Sequence, residues 1–324
     1  MATSKFYPTA ICTIFLCFFF SFTNKVKAQG RFRNQLELNV DNDVFIWYTN
    51  SDRYYTFGLG LSFTRLLPTE KESRHFLKKI FPNSHGYISN YKLKLQAYTP
   101  GNLKESDDAS SFDRPFAGWL YGQYTVSTRI NDYNLQVGFN AGVLGSASGA
   151  GRFQNWFHGL INNDPVEGWE NQIENQPGVH LLVNLRRAFI KKSWMNISME
   201  TDLSLGNIFL NAYPKARLNI GKMNSVDASS LYNNWLKDSD SPEFFVSLSG
   251  GVKLIGYNAT IQGGIFEEQV FPPRELNRTV GIISLGAYMN IYRFAGSFEL
   301  VHSRGEVTQA YDHKYGKVNF SFLF

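Results

Sequence analysis

Polar residues that could do chemistry are concentrated in three separate parts of the chain. These are residues 39–58, 98–119 and 154–172, and together they carry carboxylates, amides, hydroxyls and one histidine, His158. Histidine is the residue type that titrates closest to neutral pH, so His158 could deprotonate a water molecule for ester hydrolysis. A carboxylate on its other ring nitrogen would fix the tautomer, and a cation or hydrogen-bond donors would stabilise the oxyanion intermediate.

A serine nucleophile is disfavoured, because the chain contains no Gly-x-Ser-x-Gly elbow. Other residues also have structural interpretations. His158 follows Trp156 and Phe157 and could simply pack on a short loop helix. Asp113 and Arg114 could form a salt bridge that braces a loop, or the arginine could bind a phosphate group through its bidentate geometry.

The segments that must position these residues are β-strands. Apolar and polar residues alternate in stretches such as 36–41 and 91–97, which is typical of strands with one apolar face. Many are longer than the five to six residues of most globular strands and suit a bilayer crossing. We count about twelve, at residues 34–42, 55–65, 91–98, 116–129, 132–145, 178–190, 194–205, 208–220, 243–263, 279–291, 293–304 and 314–324.

The C-terminal segment indicates how these strands are arranged. Val318, Phe320, Phe322 and Phe324 share one face, and an amphipathic last strand with a terminal aromatic resembles the ending of bacterial outer-membrane barrels. The alternative is a β-sandwich that happens to end in phenylalanine. We therefore predict an all-β protein, a closed antiparallel transmembrane β-barrel of about twelve strands, with short helical segments in an extracellular loop.

The first 28 residues have the features of a secretory signal peptide. They combine a basic start at Lys5, a 13-residue apolar stretch at Ala10–Phe22 and small residues before a cleavage point after Ala28. Residues 29–324 then form the barrel domain. Loss of the three leader lysines lowers the formal net charge from +5 to +2, which argues against nucleic-acid binding. Both cysteines lie in the leader, so the mature chain has no thiol or disulfide chemistry.

The sides of the membrane follow from the strand order. Both termini of such barrels face the periplasm, so the connections at 43–54, 99–115 and 146–177 should lie together at the cell surface. These three connections contain most of the polar residues described above. The long connection 221–242 falls on the periplasmic side, where such length is unusual.

Six motifs in this order resemble the outer-membrane lipid A deacylase family, whose members remove the 3-prime-O-linked acyloxyacyl group of lipid A. They are an Asn-Asp pair at strand one, Tyr-Thr-x-Gly, Tyr-x-Pro, Asp-Arg-Pro-x-Ala-Gly-Trp, Gln-x-x-x-His and Trp-x-x-Gln-Ile-Glu-Asn. The resemblance covers most of the mature chain. It implies a twelve-stranded barrel, dependence on Ca²⁺ and a histidine-based hydrolytic site.

By position, the family's catalytic histidine corresponds to His158, and its Asn-Asp pair corresponds to Asn42 and Asp43. An acidic family residue six positions after the histidine corresponds to Asp164, with Glu167 as the alternative. The resemblance thus implies that Asn42 contributes to catalysis as well as to the metal site.

The implied calcium ligands are Asp43, Asn42 and Thr56, whose oxygen atoms suit this cation. The alternative is a solvated strand end, because Asx residues favour turns. For substrate binding, the family's basic residues fall near Lys104, with Arg114 as the alternative.

The sequence therefore predicts an outer-membrane hydrolase that removes an ester-linked acyl group from lipid A. The site should lie near the extracellular side, and lipid A or lipopolysaccharide of the outer leaflet should be the partner of a monomeric barrel. Two other functions remain open: a non-catalytic barrel, acting as a pore or surface-binding protein, and an outer-membrane phospholipase.

Overall fold

Twelve antiparallel strands form a closed barrel, in which each strand pairs with its neighbours in sequence and β12 pairs with β1. The computed structural model describes residues 32–46, 53–101, 112–237, 241–265, 275–308 and 310–324, so the predicted leader lies outside the described residues. The strands are β1 (Asn34–Asn42), β2 (Tyr54–Leu66), β3 (Ser84–Thr99), β4 (Ala117–Ile130), β5 (Tyr133–Leu144), β6 (Gln176–Lys191), β7 (Met195–Gly206), β8 (Phe209–Lys222), β9 (Glu243–Asn258), β10 (Thr279–Ile291), β11 (Phe294–Ser303) and β12 (His313–Leu323).

The faces of the strands are those of a barrel that stands in lipid. In β1, Glu37 and Asp41 are buried on the inside, whereas Leu36 and Leu38 are exposed on the outside. Polar groups therefore fill the lumen and apolar groups face outward, because only the outer surface meets hydrocarbon. The prediction of a closed antiparallel barrel of twelve strands is confirmed.

Two predicted strand limits are wrong for local reasons. β3 begins at Ser84 rather than residue 91, because a register shift between His85 and Ile88 hides the alternation there. β9 ends at Asn258 rather than continuing to 263. The Asn258 side chain accepts a hydrogen bond from the Thr260 N–H at 3.0 Å, which caps a short helix in place of a longer strand.

The helices are short and lie in the connections. They are α1 (Thr69–Glu72), α2 (Phe76–Ile80), α3 (Ala150–Leu160) and α4 (Ala259–Gln262). None of the helices in the described ranges is both long and apolar enough to cross a membrane. α3 lies in the connection from β5 to β6, at the end of the barrel opposite to the chain termini.

The described part of the β8–β9 connection before residue 238 folds into the lumen at the end that holds the chain termini. We call its residues 223–237 the plug. Trp235 and Leu236 are fully buried and pack against Phe32, Ala295 and Leu323. Apolar side chains in an otherwise polar connection explain this placement, because burial removes them from water.

Hydrogen bonds attach the plug to strands around the barrel. Asn233 Nδ2 donates to Glu37 of β1 at 3.2 Å, and Ser230 Oγ donates to Glu243 of β9 at 2.7 Å. The Tyr232 hydroxyl donates to Glu200 of β7. The plug therefore crosses this end of the lumen rather than lying beside it.

Candidate functional site

Lumen-facing residues show which side of the strands beneath α3 is the inner face and which is the outer face. Lys94 Nζ donates to Asp41 at 2.6 Å, and Gln96 Nε2 donates to the Tyr55 hydroxyl at 3.2 Å, both inside the barrel. Because successive strand residues face opposite sides, Ala97 of β3 faces outward.

α3 packs on this outer face. Ala97 and Phe57 share a buried apolar cluster with Ala150 of the helix, and the Phe57 and Phe153 rings lie 5.3 Å apart. Gly118 of β4 lies directly beneath the helix, so that a Cβ there would come within 2.6 Å of the Ala150 Cβ. The helix therefore lies against the outside of the barrel and not over its lumen.

His158 lies on the face of α3 that meets the wall. Ala150, Gln154 and His158 follow one another at four-residue steps, which places them on one helical face, and all three are buried. His158 is 7% exposed. Its Nδ1 lies 2.7 Å from the main-chain oxygen of Asp164. A carbonyl can only accept, so Nδ1 carries the proton and, in the neutral ring, Nε2 is the basic nitrogen.

The main chain of Asp164, rather than its side chain, contacts the Nδ1 of His158. The side chains of Asp164 and Glu167 are both exposed, and the main chain of Asp164 holds the ring. The segment folds back on the helix because the Asn155 side chain brackets Val166, accepting from its N–H at 2.8 Å and donating to its carbonyl at 3.2 Å. The histidine is thus oriented by a neutral carbonyl.

Asn42 and Asp43 lie where β1 ends in a 3₁₀ turn, Asp43–Phe45. The Asn42 side-chain oxygen caps this turn by accepting from the Val44 N–H at 2.7 Å. Asp43 is buried, and its Oδ2 accepts from the Arg53 N–H at 3.3 Å. The predicted pair is therefore adjacent at the rim, but the Asn42 amide oxygen is held by the backbone.

Thr56 occupies a β-bulge. The β2–β3 register changes from Tyr55↔Tyr98 to Phe57↔Ala97, which leaves Thr56 as the extra residue. Its Oγ1 lies 2.8 Å from the Oγ1 of Thr99, and both residues are buried. Sequence reasoning missed Thr99, although its place at the end of the neighbouring strand was a signal.

The strand ends and the helix meet through Phe57. Phe57 is the cross-strand neighbour of Asn42 and directly follows Thr56. Its ring contacts Phe153, which lies five residues before His158 on α3. The structure therefore brings the Asn42–Asp43 turn, the Thr56–Thr99 pair and the α3 helix to one region on the outer wall, which we call the outer-wall site.

The predicted substrate residue Arg114 contacts a lumen-facing ring rather than the outer-wall site. Arg114 is 3% exposed, donates from Nη2 to Thr260 Oγ1 at 2.8 Å and stacks over the lumen-facing Tyr98 ring at 4.8 Å. The loop before β4 turns the Arg114 side chain toward the lumen, and its role in substrate binding stays a prediction. The expected salt bridge with Asp113 is replaced by a contact in which Asp113 accepts from the Gly101 N–H at 2.8 Å. Lys104 lies outside the described residues.

The donor atoms at the rim fit a hard cation better than a soft one. No group of three or more His, Cys, Asp or Glu side chains in the described part of the chain could hold a metal ion. The outer-wall site offers instead one buried carboxylate, Asp43, and the neutral oxygens of Asn42, Thr56 and Thr99. A set of oxygen donors fits Ca²⁺, whereas Zn²⁺ prefers nitrogen and sulfur.

Comparison with known proteins gives one family. The model of the family described as "Outer membrane protein LpxR" matches residues 13–324. Among solved structures, LpxR from Salmonella typhimurium matches with a TM-score of 0.71 at 19% identity, covering 90% of this chain and 100% of that chain. At this identity the likeness shows the fold.

Other solved barrels are less similar. A KdgM porin matches with a TM-score of 0.40 at 4% identity, over 90% of this chain and 99% of its own. The translocator domain of the autotransporter NalP from Neisseria meningitidis gives 0.40 at 9% identity, over 98% and 97%. Among curated proteins, none matches the sequence significantly.

Proposed function

The chain belongs to the LpxR family of outer membrane proteins, and from this premise we propose that it is a lipid A deacylase. It would hydrolyse an ester-linked acyl or acyloxyacyl group of lipid A in the outer leaflet, as a single-chain barrel. The observation that carries the proposal is His158, buried on the lipid side of the wall with its Nδ1 proton held by the Asp164 carbonyl.

In the proposed mechanism, His158 is the general base. With Nδ1 protonated, Nε2 takes a proton from the attacking water and then returns it to the departing alcohol oxygen. The Asp164 carbonyl keeps the ring oriented while it carries the extra proton. The His158 ring is buried between α3 and the barrel wall, which limits its contact with bulk water.

The rim oxygens would support the negative charge that develops on the substrate. A bound Ca²⁺ would supply an electrophile that stabilises the oxyanion. Asp43 would give the one charged ligand, Thr56 and Thr99 would add hydroxyl oxygens, and Asn42 would keep the turn in place through its contact with Val44. Because the Asn42 side-chain oxygen accepts from the Val44 N–H, we assign Asn42 the role of positioning Asp43 rather than that of a metal ligand.

The surface around α3 supports a lipid substrate. Trp156 is 58% exposed and Leu160 is 62% exposed on the helix. Leu61 and Leu93 of the wall are also exposed apolar residues. An acyl chain could therefore stay in an apolar environment while its ester reaches His158.

The plug argues against the alternative function as a pore. Trp235, Leu236 and Asn234 are fully buried across the lumen at the end of the chain termini. A diffusion pore needs a continuous aqueous path, which this packing opposes. A phospholipase would use the same water-activating chemistry, so substrate choice must be measured.

The test is deacylation by the full chain, folded in mixed micelles. We expect mass spectrometry to show acyl loss from lipid A in the presence of Ca²⁺ and none from glycerophospholipid. His158→Gln should lower the rate by about 10²–10⁴-fold, as is usual for a lost general base. The matched control is His85→Gln, because His85 is an exposed histidine at the opposite end of the barrel.

Three results would decide against this function. Fatty acid released only from glycerophospholipid would make the protein a phospholipase. Ion conductance without any hydrolysis would favour the pore. A rate above a tenth of wild type in a folded His158→Gln variant would exclude His158 as the base.

A further inference from the structure

A second polar site lies inside the barrel, at the end opposite to the plug. It is a cavity of about 270 Å³ in the lumen. Its lining includes Arg114, Lys253, Glu306 and the rings of Tyr98 and His313. α3 lies on the other side of the wall, so this cavity is separate from the outer-wall site.

Arg114 is the unusual group in this cavity. Its guanidinium has five N–H donors. Nη2 donates to the carbonyl oxygen and hydroxyl of Thr260, at 3.3 and 2.8 Å. The buried Nε has no hydrogen-bond acceptor, and no described carboxylate forms an ion pair with Arg114 within 4.0 Å. A fixed cation is therefore buried at the cavity wall without a direct counter-charge.

The nearby carboxylates are already engaged by other groups. Asp113, the neighbour of Arg114 in sequence, accepts from the Gly101 N–H at 2.8 Å. Glu306 accepts from Lys253 Nζ at 2.8 Å and from Asn258 Nδ2 at 3.2 Å. Asp41 pairs with Lys94 at 2.6 Å. Burial alone would raise the pKa of Glu306, but Lys253 and then Arg114 lower it below its ordinary value. Glu306 is thus a charged carboxylate whose direct partners are Lys253 and Asn258. It acts on Arg114 only by electrostatic attraction at a distance.

An arginine that stays charged in a buried cavity favours an anion beside it, because desolvation penalises an uncompensated charge. We propose that this cavity binds a small oxyanion, specifically a phosphate group, with Arg114 as the principal ligand. The planar guanidinium can give two parallel N–H···O bonds to such a group. Water occupies about 30 Å³ per molecule in the liquid, so the volume admits a phosphate with several waters.

Calorimetric titration of the folded full chain with inorganic phosphate, in a buffer free of other oxyanions, tests the site. We expect one phosphate to bind, and Arg114→Met to weaken binding at least tenfold. Thr260→Val keeps the charge but removes a contact that positions it, so it should weaken binding several-fold. Arg152→Met is the matched control, because Arg152 is an exposed arginine on α3 outside the lumen.

A second arm separates the two sources of phosphate. The same variants are titrated with phosphorylated and dephosphorylated lipid A in micelles. Binding of inorganic phosphate that depends on Arg114 assigns the site to a free anion. Preference for phosphorylated lipid that is lost in Arg114→Met, without binding of inorganic phosphate, assigns it to a headgroup. No dependence on Arg114 and Thr260 in either arm overturns the proposal, and because binding is the readout, this result is independent of deacylation.

Discussion

The outer-wall site and the plugged lumen both bury polar side chains, but they compensate them differently. In the lumen, Glu200 accepts from Arg217 Nε at 2.9 Å and lies 3.5 Å from Lys215 Nζ. At the outer-wall site, His158 meets a neutral carbonyl and Thr56 meets another hydroxyl. Around Glu200 charge is matched by charge, whereas His158 and Thr56 at the outer-wall site contact neutral partners.

This difference assigns the stability of the barrel mainly to the lumen and the proposed chemistry to the outer-wall site. Paired charges in the lumen fix the barrel and the plug, because removal of one partner leaves the other buried and unpaired. The outer-wall site is held mainly by apolar packing of α3, so changing one of its polar groups should affect the proposed reaction more than the stability of the barrel. Variants of the two regions should therefore fail in different assays.

After the loss of the proposed general base, the largest expected effect is the loss of the charged oxygen ligand at the outer-wall site. Asp43→Asn should lower the deacylation rate about 10²–10³-fold, the usual size of a lost oxyanion-stabilising contact, and shift the Ca²⁺ response to higher concentration. The measurement is the rate against Ca²⁺ concentration. Asp132→Asn serves as the control, because Asp132 is an exposed carboxylate in the β4–β5 turn. Full activity of Asp43→Asn in the presence of a chelator would remove the metal from the mechanism.

The next effect concerns the seat of α3 on the wall. At Gly118, a Cβ would overlap the Ser148 side chain and approach the Ala150 Cβ to 2.6 Å. Gly118→Ala should therefore displace the helix and its histidine, and a shift of about 1 Å can lower the rate about 10²-fold. The barrel should remain folded, as judged by its resistance to proteolysis.

Gly122→Ala is the matched control for this prediction. Gly122 lies four residues further along β4, and a Cβ there would meet nothing within 4 Å. It should keep wild-type activity. Equal activities of the two variants would mean that packing of α3 on the wall does not position the chemistry.

The barrel could be predicted from the sequence because its signal is periodic. The limits predicted for β1 and β10 match the structure, since alternation runs through both strands without interruption. The start of β3 was missed, because the bulge near Gly86 breaks the period. The alternation of apolar and polar residues also does not predict helix caps such as Asn258, which end a strand.

The spacing of the candidate residues was easier to predict from the sequence than their surroundings. The spacing of Ala150, Gln154 and His158 defines one face of a helix, but periodicity does not tell which surface that face meets. Arg114 lies in an aperiodic loop, so nothing in the sequence fixed its direction. The long connection that forms the plug was recognised, but its placement in the lumen was not, although Trp235 and Leu236 were the available signal.

A smaller effect is expected when a lumen charge is neutralised. Glu200→Gln keeps the shape but weakens the contacts to Arg217, Lys215 and the Tyr232 hydroxyl. We expect the free energy of unfolding to fall by about 2 kcal/mol, as for hydrogen bonds to charged groups, measured by urea titration in detergent. Deacylation by the folded fraction should stay at the wild-type rate. A loss of activity at unchanged stability would show that the lumen network around Glu200 contributes to the reaction at the outer-wall site.

Glu70→Gln is the control for Glu200→Gln, because Glu70 is an exposed carboxylate on α1. It should change neither the urea midpoint nor the rate. A similar loss of stability in both variants would show that overall charge, rather than the lumen network, accounts for the effect.

The smallest effect concerns Lys237 at the end of the plug. Burial lowers the pKa of Lys237 from 10.5 to about 8, against the raising influence of Asp227 and Glu72, and its Nζ has no hydrogen-bond partner. The folded state thus disfavours the charged form. Its destabilising contribution is fully present below pH 8 and disappears as the pH rises from 8 to 10.5. The folded protein should therefore gain stability from the loss of this charge at neutral pH but not at high pH.

Lys237→Met should accordingly raise the free energy of unfolding at pH 7 by about 1 kcal/mol, and its advantage should shrink to nothing near pH 10.5. Urea titrations at several pH values measure this difference. Lys71→Met, at an exposed lysine of α1, should give no such pH-dependent gain. An advantage that stays constant with pH would assign the gain to apolar packing of the methionine. The charge of Lys237 would then carry no penalty in the folded state, and its titration would have no part in the stability of the plug.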